Sequence, residues 1–420
     1  MRRLIFINRF FYPDHSATSQ ILSDLAFHLA NTGREIHIVT SRQIYDAPQA
    51  SLPEHEIING VRVHRVPSTS FGRNALFGRS IDYLSFYRST WRHLLQVARP
   101  GDLLVAKTDP PLVSLVAGAA AKRKRARLVN WLQDIYPEVA VQLDVALLRG
   151  PVAAGLAELR NRSLRAAEAN VVVGELMRHT LETLGVPSAG IRVIPNWCDD
   201  LEIRPLIDIE NPLRQAWGLQ GKFVCGYSGN LGRVHESDTV LSAAELLRDD
   251  PRIVFLVIGG GKKFDELQNM VKTRALSGSF CFMPYQERKL LSYSLGVPDV
   301  HWLSLNPKHE GLIVPSKFYG IAAAGKPIIV IGDENGEHAR LVQRHGCGVV
   351  ITPGDASGLA GALRRLARDS RTVLDMGARA RQMLDAGFTR QKAFERWHEL
   401  LAQLECAPES EQSLDHPAKT

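Results

Sequence analysis

Short apolar runs alternate with longer segments of helical periodicity along almost the whole chain, and few architectures tolerate that rhythm. "RRLIFIN" reads as a first strand, "SQILSDLAFHLANTG" as a helix closed by Gly33, and "EIHIVTS" as a second strand. "DLLVAK", "ARLVNWL" and "ANVVVG" continue the series, and "IRVIPNWCD" adds a strand that ends in a turn. A second cycle follows: "KFVCGYSG", a helix near 237–248, "RIVFLVIGGG", a helix near 263–274, "VHWLSL", "VPSKFYGIAAAGKPIIVIG" and "GVVIT". This alternation builds parallel sheets with helices on both faces. The one linker-like shift is "DDLEIRPLIDIENP". The chain of 420 residues therefore divides into two doubly wound, Rossmann-like α/β domains, 1–198 and 213–385, joined by a linker at 199–212. Residues 406–420 have the composition of a disordered tail. In such sheets ligands bind beyond the carboxyl ends of the strands, so the chemistry belongs in those loops.

Several function classes are excluded at once. The loop after the first strand, "NRFFYPDHSATSQ", holds no glycine, which removes a dinucleotide fingerprint, and no Walker-type phosphate loop occurs anywhere. That loop offers Asp14, His15, Ser16 and Thr18 just before a helix, where capping and ligand contact are both open. Five scattered cysteines fit neither a disulfide framework nor a zinc site, and they suit a reducing cytoplasm. No metal ligand set stands out. The apolar run near the N-terminus is too short for a secretory signal, and no segment reaches about 18 uninterrupted apolar residues.

The net charge of +7 is concentrated in the first half. Residues 71–127 hold 11 Lys and Arg against 3 Asp and Glu. Within this window Arg79, Arg88 and Arg92 interleave with Phe77, Tyr83, Phe86, Tyr87 and Trp91 at helical spacing. The pattern predicts a helix lying at the cytoplasmic membrane surface, with "KRKRAR" at 122–127 adding attraction to anionic headgroups. The alternative is an aromatic stripe facing the core with a solvated basic face. No nucleic-acid-binding module accompanies the charge.

The second half offers three loops suited to an anion. "GYSGNLGRVHES" carries Gly226, Gly229 and Gly232, followed at once by Arg233 and His235. "VIGGGKKF" follows the next strand with Gly259 and Gly260. "VPSK" opens a helix with Ser316 and Lys317, a cation where the helix dipole would favour an acid. Three strand ends presenting backbone N–H groups and cations make a cradle for a diphosphate.

These stretches, with "HEGLIVPSKFYGIAAAGKP", "YSGNLGRVH", "WLQDIYPE" and "FYPDHSATSQ", resemble the retaining glycosyltransferases of family 4, which have the GT-B fold of two Rossmann-like domains facing across a cleft. The resemblance spans about residues 3–402 and lies with the bacterial branch that builds exopolysaccharide, O-antigen and colanic-acid-type repeat units. It implies an acceptor domain, a nucleotide-sugar donor domain, and a closing helix at 386–405 that crosses back to the first domain. It implies that Lys317 and Arg233 neutralise the donor diphosphate, aided by Ser316 and by backbone at Gly229, Asn230, Gly232, Gly259, Gly260, Gly311 and Leu312. Glu310 would hold sugar hydroxyls. Eight residues after Glu310 the family has a second glutamate for the ribose, and here stands Phe318. Glu337 is the substitute expected from its place at the next helix start. The family's Arg and Lys in the first donor loop are replaced by Asn230 and His235. Asp134 is expected to orient or deprotonate the acceptor, or to cap the turn that follows it.

The resemblance thus implies a metal-independent transferase, cytoplasmic and peripheral at the inner face of the plasma membrane. It would use a nucleotide sugar, a UDP-sugar ahead of a GDP-sugar, and a polyprenyl-diphosphate-linked or other lipid acceptor. Its competitors are a nucleotide-sugar 2-epimerase of the same fold and a non-catalytic nucleotide-sugar-binding subunit.

Overall fold

The apolar runs pair into two sheets. The first holds β1 (Leu4–Ile7), β2 (Ile36–Ser41), β3 (His55–Ile58), β4 (Val61–Val66), β5 (Leu103–Lys107), β6 (Arg127–Trp131), β7 (Ala169–Val172) and β8 (Ile191–Val193). Its spatial order is β3-β4-β2-β1-β5-β6-β7-β8. The second holds β9 (Phe223–Asn230), β10 (Ile253–Gly260), β11 (Phe280–Met283), β12 (Val300–Ser304), β13 (Ile328–Ile331) and β14 (Gly348–Ile351), in the order β11-β10-β9-β12-β13-β14. Adjacent strands run parallel in both sheets except at the β3–β4 edge. The computed structural model describes residues 2–45, 51–71, 76–145, 150–206 and 211–406. The expected tail beyond Cys406 and linker residues 207–210 lie outside them, as does the Phe77 side chain.

Strand order reverses at β1/β5 in the first sheet and at β9/β12 in the second, which marks the carboxyl ends of these strands as the binding crevices. The β3–β4 hairpin is absent from the sequence reading. Its signal was Asn59-Gly60, whose φ values of 48° and 81° are those a two-residue hairpin turn requires.

The helix Arg390–Cys406 packs Phe394, Trp397, Leu400 and Leu401 into the core of the first sheet, beside Leu25, Trp131 and Trp197. The last described segment of the chain therefore completes the core of the first domain.

The helix Leu76–Val97 corrects one expectation. Phe86, Thr90 and Leu94, spaced at i, i+4 and i+8, are buried, and Tyr87 and Trp91 pack against the same core as Phe86. The aromatic stripe serves the protein interior, because β2, β4 and the helix Val113–Lys124 need an apolar cover. Phe86 and Trp91 are thus not lipid-facing anchors. Arg79 is half-buried, whereas Arg88 and Arg92 are exposed beside Leu84 on the outer face. Among the described residues, no helix is long and apolar enough to cross a membrane.

Candidate active site

Two strand ends of the second sheet meet in an arrangement that only glycine allows. β9 and β10 stay in register to Gly229 opposite Gly259 and Asn230 opposite Gly260. Gly229, Gly259 and Gly261 have φ of 125°, 133° and 117°. A Cβ at Gly259 would stand 2.3 Å from the Gly229 carbonyl oxygen, and one at Gly261 would stand 2.2 Å from Asn230 Oδ1. The glycines let the backbones cross at the mouth of the crevice.

Lys317 reaches over this crossing. A Cβ on Gly229 would lie 3.8 Å from Lys317 Cε. The ammonium sits 4.0 Å above the ring of buried Tyr227 and donates to its hydroxyl, to the Asn230 carbonyl at 3.3 Å and to His235 Nε2 at 3.2 Å. Burial lowers the Lys317 pKa from its ordinary range to about 7. His235 Nδ1–H donates to the Ser304 carbonyl at the end of β12, 2.6 Å away, which leaves the Nε2 lone pair facing Lys317. Burial first, and the Lys317 charge second, hold this imidazole neutral. His235 was expected to touch the donor. It is buried behind Lys317 and positions it instead.

Two members of this group escaped the sequence reading. Tyr227 forms the floor beneath Lys317, and its hydroxyl donates to the Asn230 carbonyl at 2.7 Å. Lys263 donates to the His235 carbonyl at 2.7 Å, bringing a second cation to the same loop. The "GGGKK" run carried the signal for Lys263, while a tyrosine inside an apolar strand carried none. Arg233 is exposed at the rim, near the turn at Gly232. Gly260 packs against the ring edge of the exposed Tyr285.

The Glu310–Lys317 loop forms the second wall. Burial raises the Glu310 pKa to about 7, and the nearby Asp333 and Glu337 charges push it the same way. Glu310 Oε2 accepts from the backbone N–H of Glu337 at 3.2 Å. Leu312 was expected to offer its N–H to a phosphate. That N–H is spent on the His309 carbonyl at 3.0 Å, and the Leu312 carbonyl accepts from Ile135 N across the cleft at 3.0 Å. Gly311, with φ of 73°, packs against Thr180 and Leu176 of the first domain. Both positions belong to the interdomain seam. Ser316 occupies the N-cap position of the helix Lys317–Ala323 and makes no side-chain cap bond.

Phe318 is fully buried and stacks on His338, ring centroids 4.2 Å apart. Glu337, expected as the substitute for the missing glutamate, turns toward the first domain. Its carboxylate accepts from the backbone N–H groups of Glu175 and Leu176 in the first domain, at 3.1 and 2.9 Å.

On the first-domain side, Asp134 bridges backbone to backbone with Ile313, which sets it beside the Glu310–Lys317 loop. Burial, with Asp109 nearby, raises its pKa to about 7. It lines a cavity of about 30 Å³ together with Thr108, Tyr136 and Lys107. Lys107 is fully buried, lies 3.9 Å over the Trp131 ring and donates to the Thr18 carbonyl at 2.9 Å. It ties the first turn of the helix Ala17–Asn31 to Trp131 at the end of β6, the strand that leads into Asp134. Asp14, expected as an acceptor contact, organises this loop: Oδ1 accepts from Ser16 N at 2.8 Å and Oδ2 from Tyr45 N. One oxygen closes the local turn at Ser16 and the other holds the Tyr45 backbone, so Asp14 makes a turn rather than a helix cap. His15 is exposed, and Ser16 and Thr18 are half-buried.

Two family models cover most of the chain, the glycosyl transferase 4-like domain over residues 17–197 and the glycosyl transferases group 1 over residues 210–383. The chain belongs to the family 4 glycosyltransferases. It is 27% identical over 266 residues to a protein named as a glycosyltransferase, WbjE of Pseudomonas aeruginosa, a match covering 63% of this chain and 65% of that protein. A protein named as a colanic acid biosynthesis glycosyl transferase, WcaI of Escherichia coli, is 24% identical over 369 residues, covering 84% of this chain and 89% of that one. The fold matches sucrose-phosphate synthase from Thermosynechococcus elongatus with a TM-score of 0.75 at 16% identity, over 97% of this chain and 100% of that one. It matches Anabaena HepE, solved with UDP, with a TM-score of 0.69 at 15% identity, over 96% and 100%. The architecture is GT-B.

Proposed function

We propose that this family 4 glycosyltransferase moves a sugar, with retention of configuration and without a metal ion, from a nucleoside-diphosphate sugar to a lipid-linked saccharide or lipid phosphate in bacterial surface-polysaccharide synthesis. The observation that carries this is Lys317, an ammonium held above the glycine crossing by a neutral histidine and a tyrosine. The names of WbjE and WcaI support the transferase and polysaccharide parts, and the UDP bound to HepE supports the donor class.

The three Lys317 donors already have acceptors, and the bond to the Asn230 carbonyl, at 3.3 Å, is the longest of them. Tyr227 serves that same carbonyl at 2.7 Å. A phosphate oxygen therefore displaces it at little cost, and charge-assisted contact to phosphate is the stronger bond. The glycosidic C–O bond breaks with its electron pair leaving on the diphosphate, whose charge Lys317 and Arg233 offset. The acceptor hydroxyl attacks from the same face and passes its proton to the departing phosphate oxygen, with Asp134 orienting it and Glu310 holding sugar hydroxyls. UDP takes precedence over GDP as the donor nucleotide.

Thermal shift with UDP, GDP and dTDP, followed by transfer to a polyprenyl-diphosphate saccharide, tests the assignment. A nucleoside diphosphate at a hundredfold excess over its Kd should stabilise the protein by about 2.7 kcal/mol. Equal indifference to all three would remove the donor site. Incubating the donor alone separates the epimerase, which would release an epimer or a glycal.

The membrane proposal now rests on charge. Arg88 and Arg92 are exposed on the helix Leu76–Val97, and Lys122, Arg123 and Arg125 are exposed where the helix Val113–Lys124 ends. The turn after the first of these helices meets the end of the second through the Gly101 N–H to Arg125 carbonyl bond of 2.9 Å. Binding to anionic vesicles should fall steeply with salt, and R88E/R92E should weaken it by about thirtyfold or more, each cation near such a surface being worth roughly 1 kcal/mol and each reversal adding repulsion. Equal binding to neutral vesicles would place the contact elsewhere.

A further inference from the structure

Glu337 sits where two helices of different domains approach end to end. It is the first residue of the helix Glu337–His345, and its carboxylate leaves that helix to cross the cleft. There it receives the Glu175 and Leu176 N–H groups, the opening donors of the helix Glu175–Thr183. That helix has no cap of its own: its N-cap residue is Gly174, which offers no side chain. The glycine is also what makes room, since a Cβ there would stand 2.8 Å from Glu337 Cδ and 2.9 Å from Oε2. A helix start lacking a cap, a missing Cβ and a carboxylate arriving from the other domain are three parts of one fitting.

The fitting connects to the sugar side of the crevice. Glu310 accepts from the Glu337 N–H, and a Cβ on the neighbouring Gly336 would meet Glu310 Oε1 at 2.4 Å. The carboxyl of Glu310 is thus packed against the backbone that carries Glu337. The seam continues through Ile135 N to the Leu312 carbonyl and through Gly311 against Thr180.

We propose that Glu337 is an interdomain latch: it caps the first-domain helix at Glu175 when the cleft closes, and Glu310 at its backbone couples closure to the occupant of the sugar site. Glu337 is a positioning residue that acts on the approach of acceptor to donor, rather than the ribose ligand. The link to turnover rests on the transferase assignment above, while the closure itself does not.

Two substitutions on opposite sides of the cleft test it. E337A removes the carboxylate, and G174A inserts a Cβ into its seat from the first domain, where it has no route to a nucleotide. Small-angle scattering with and without UDP, UDP affinity by calorimetry and single-turnover transfer are measured for both. The expected result is a shared phenotype: a larger radius of gyration in both variants, UDP Kd within about twofold of wild type, and transfer reduced by about tenfold or more, in the usual range of coupling between sites. E337Q, which keeps one acceptor oxygen, should fall between. A tenfold loss of UDP affinity in E337A with unchanged scattering would assign the carboxylate to the ribose and overturn the latch. Wild-type scattering and turnover in G174A would overturn it independently. If wild type transfers no sugar at all while both variants open the cleft, the latch stands and the transferase assignment falls.

Discussion

Lys317→Ala should lower transfer by about 10²–10³-fold, the loss typical of removing one preorganised donor from a site of developing negative charge. The protein should stay folded, because the truncation leaves Tyr227 and His235 hydrogen-bonded to the Asn230 and Ser304 carbonyls. The pH dependence gives a sharper check. Burial places the pKa of free Lys317 at about 7, and a bound diphosphate favours the ammonium and raises it. Binding therefore takes up a proton. Affinity for a nucleoside diphosphate is fully present below pH 7 and falls up to tenfold per unit as the pH rises above it, until the raised pKa of the complex is reached. Glu310 acts in the opposite sense. Its pKa is also raised to about 7, so the carboxylate that accepts from sugar hydroxyls is lost as the pH falls below that value. The profile of kcat/KM should be a narrow bell near pH 7, flattened on the alkaline side by K317R and on the acid side by E310Q. An alkaline limb that survives in K317R would assign the titration to another group.

The fold was legible because a parallel sheet announces itself: strands buried on both faces read as unbroken apolar runs, as in "LIFI" and "IIVI". The glycine-rich strand ends beneath Lys317 were legible for a related reason, since strand-end glycines and helix-start cations are local patterns. What failed was anything that depends on which way a side chain points. His235 occupies a position expected of a donor contact, yet it is buried behind Lys317. The aromatic stripe from Tyr83 to Trp91 has the same helical period whether it faces lipid or core, and the neighbouring strands decided in favour of the core for Phe86 and Trp91. Glu337 looked like an ordinary acid at a helix start. Its destination, 162 residues away in sequence, depends on how the two domains meet and leaves no local pattern.

Trp397→Ala should be the most destabilising of the single changes considered, at about 3–5 kcal/mol, the usual range for deleting a buried tryptophan. Trp397 has no exposed surface and meets Trp131 edge to face, with centroids 4.7 Å apart. Trp131 is in turn stacked against Trp197, and Phe394 of the same final helix stacks on His28 at 4.2 Å. Removing one indole therefore opens a hole lined by aromatic rings that cannot close over it. For a unit of this size the loss corresponds to a fall in Tm of roughly 10 °C. The helix follows the second domain in sequence but fills the core of the first, so the damage should be one-sided. The first domain should melt early, and UDP affinity measured in the cold should stay within about twofold, because Lys317, Tyr227 and His235 stand on the second sheet. A uniform fall in both domains would show that the helix couples their unfolding. A Tm change below about 2 °C would make it a surface strap rather than part of the core. With the helix Arg390–Cys406 anchored in the first core, the chain passes between the two domains both near residues 199–206 and near 387–390.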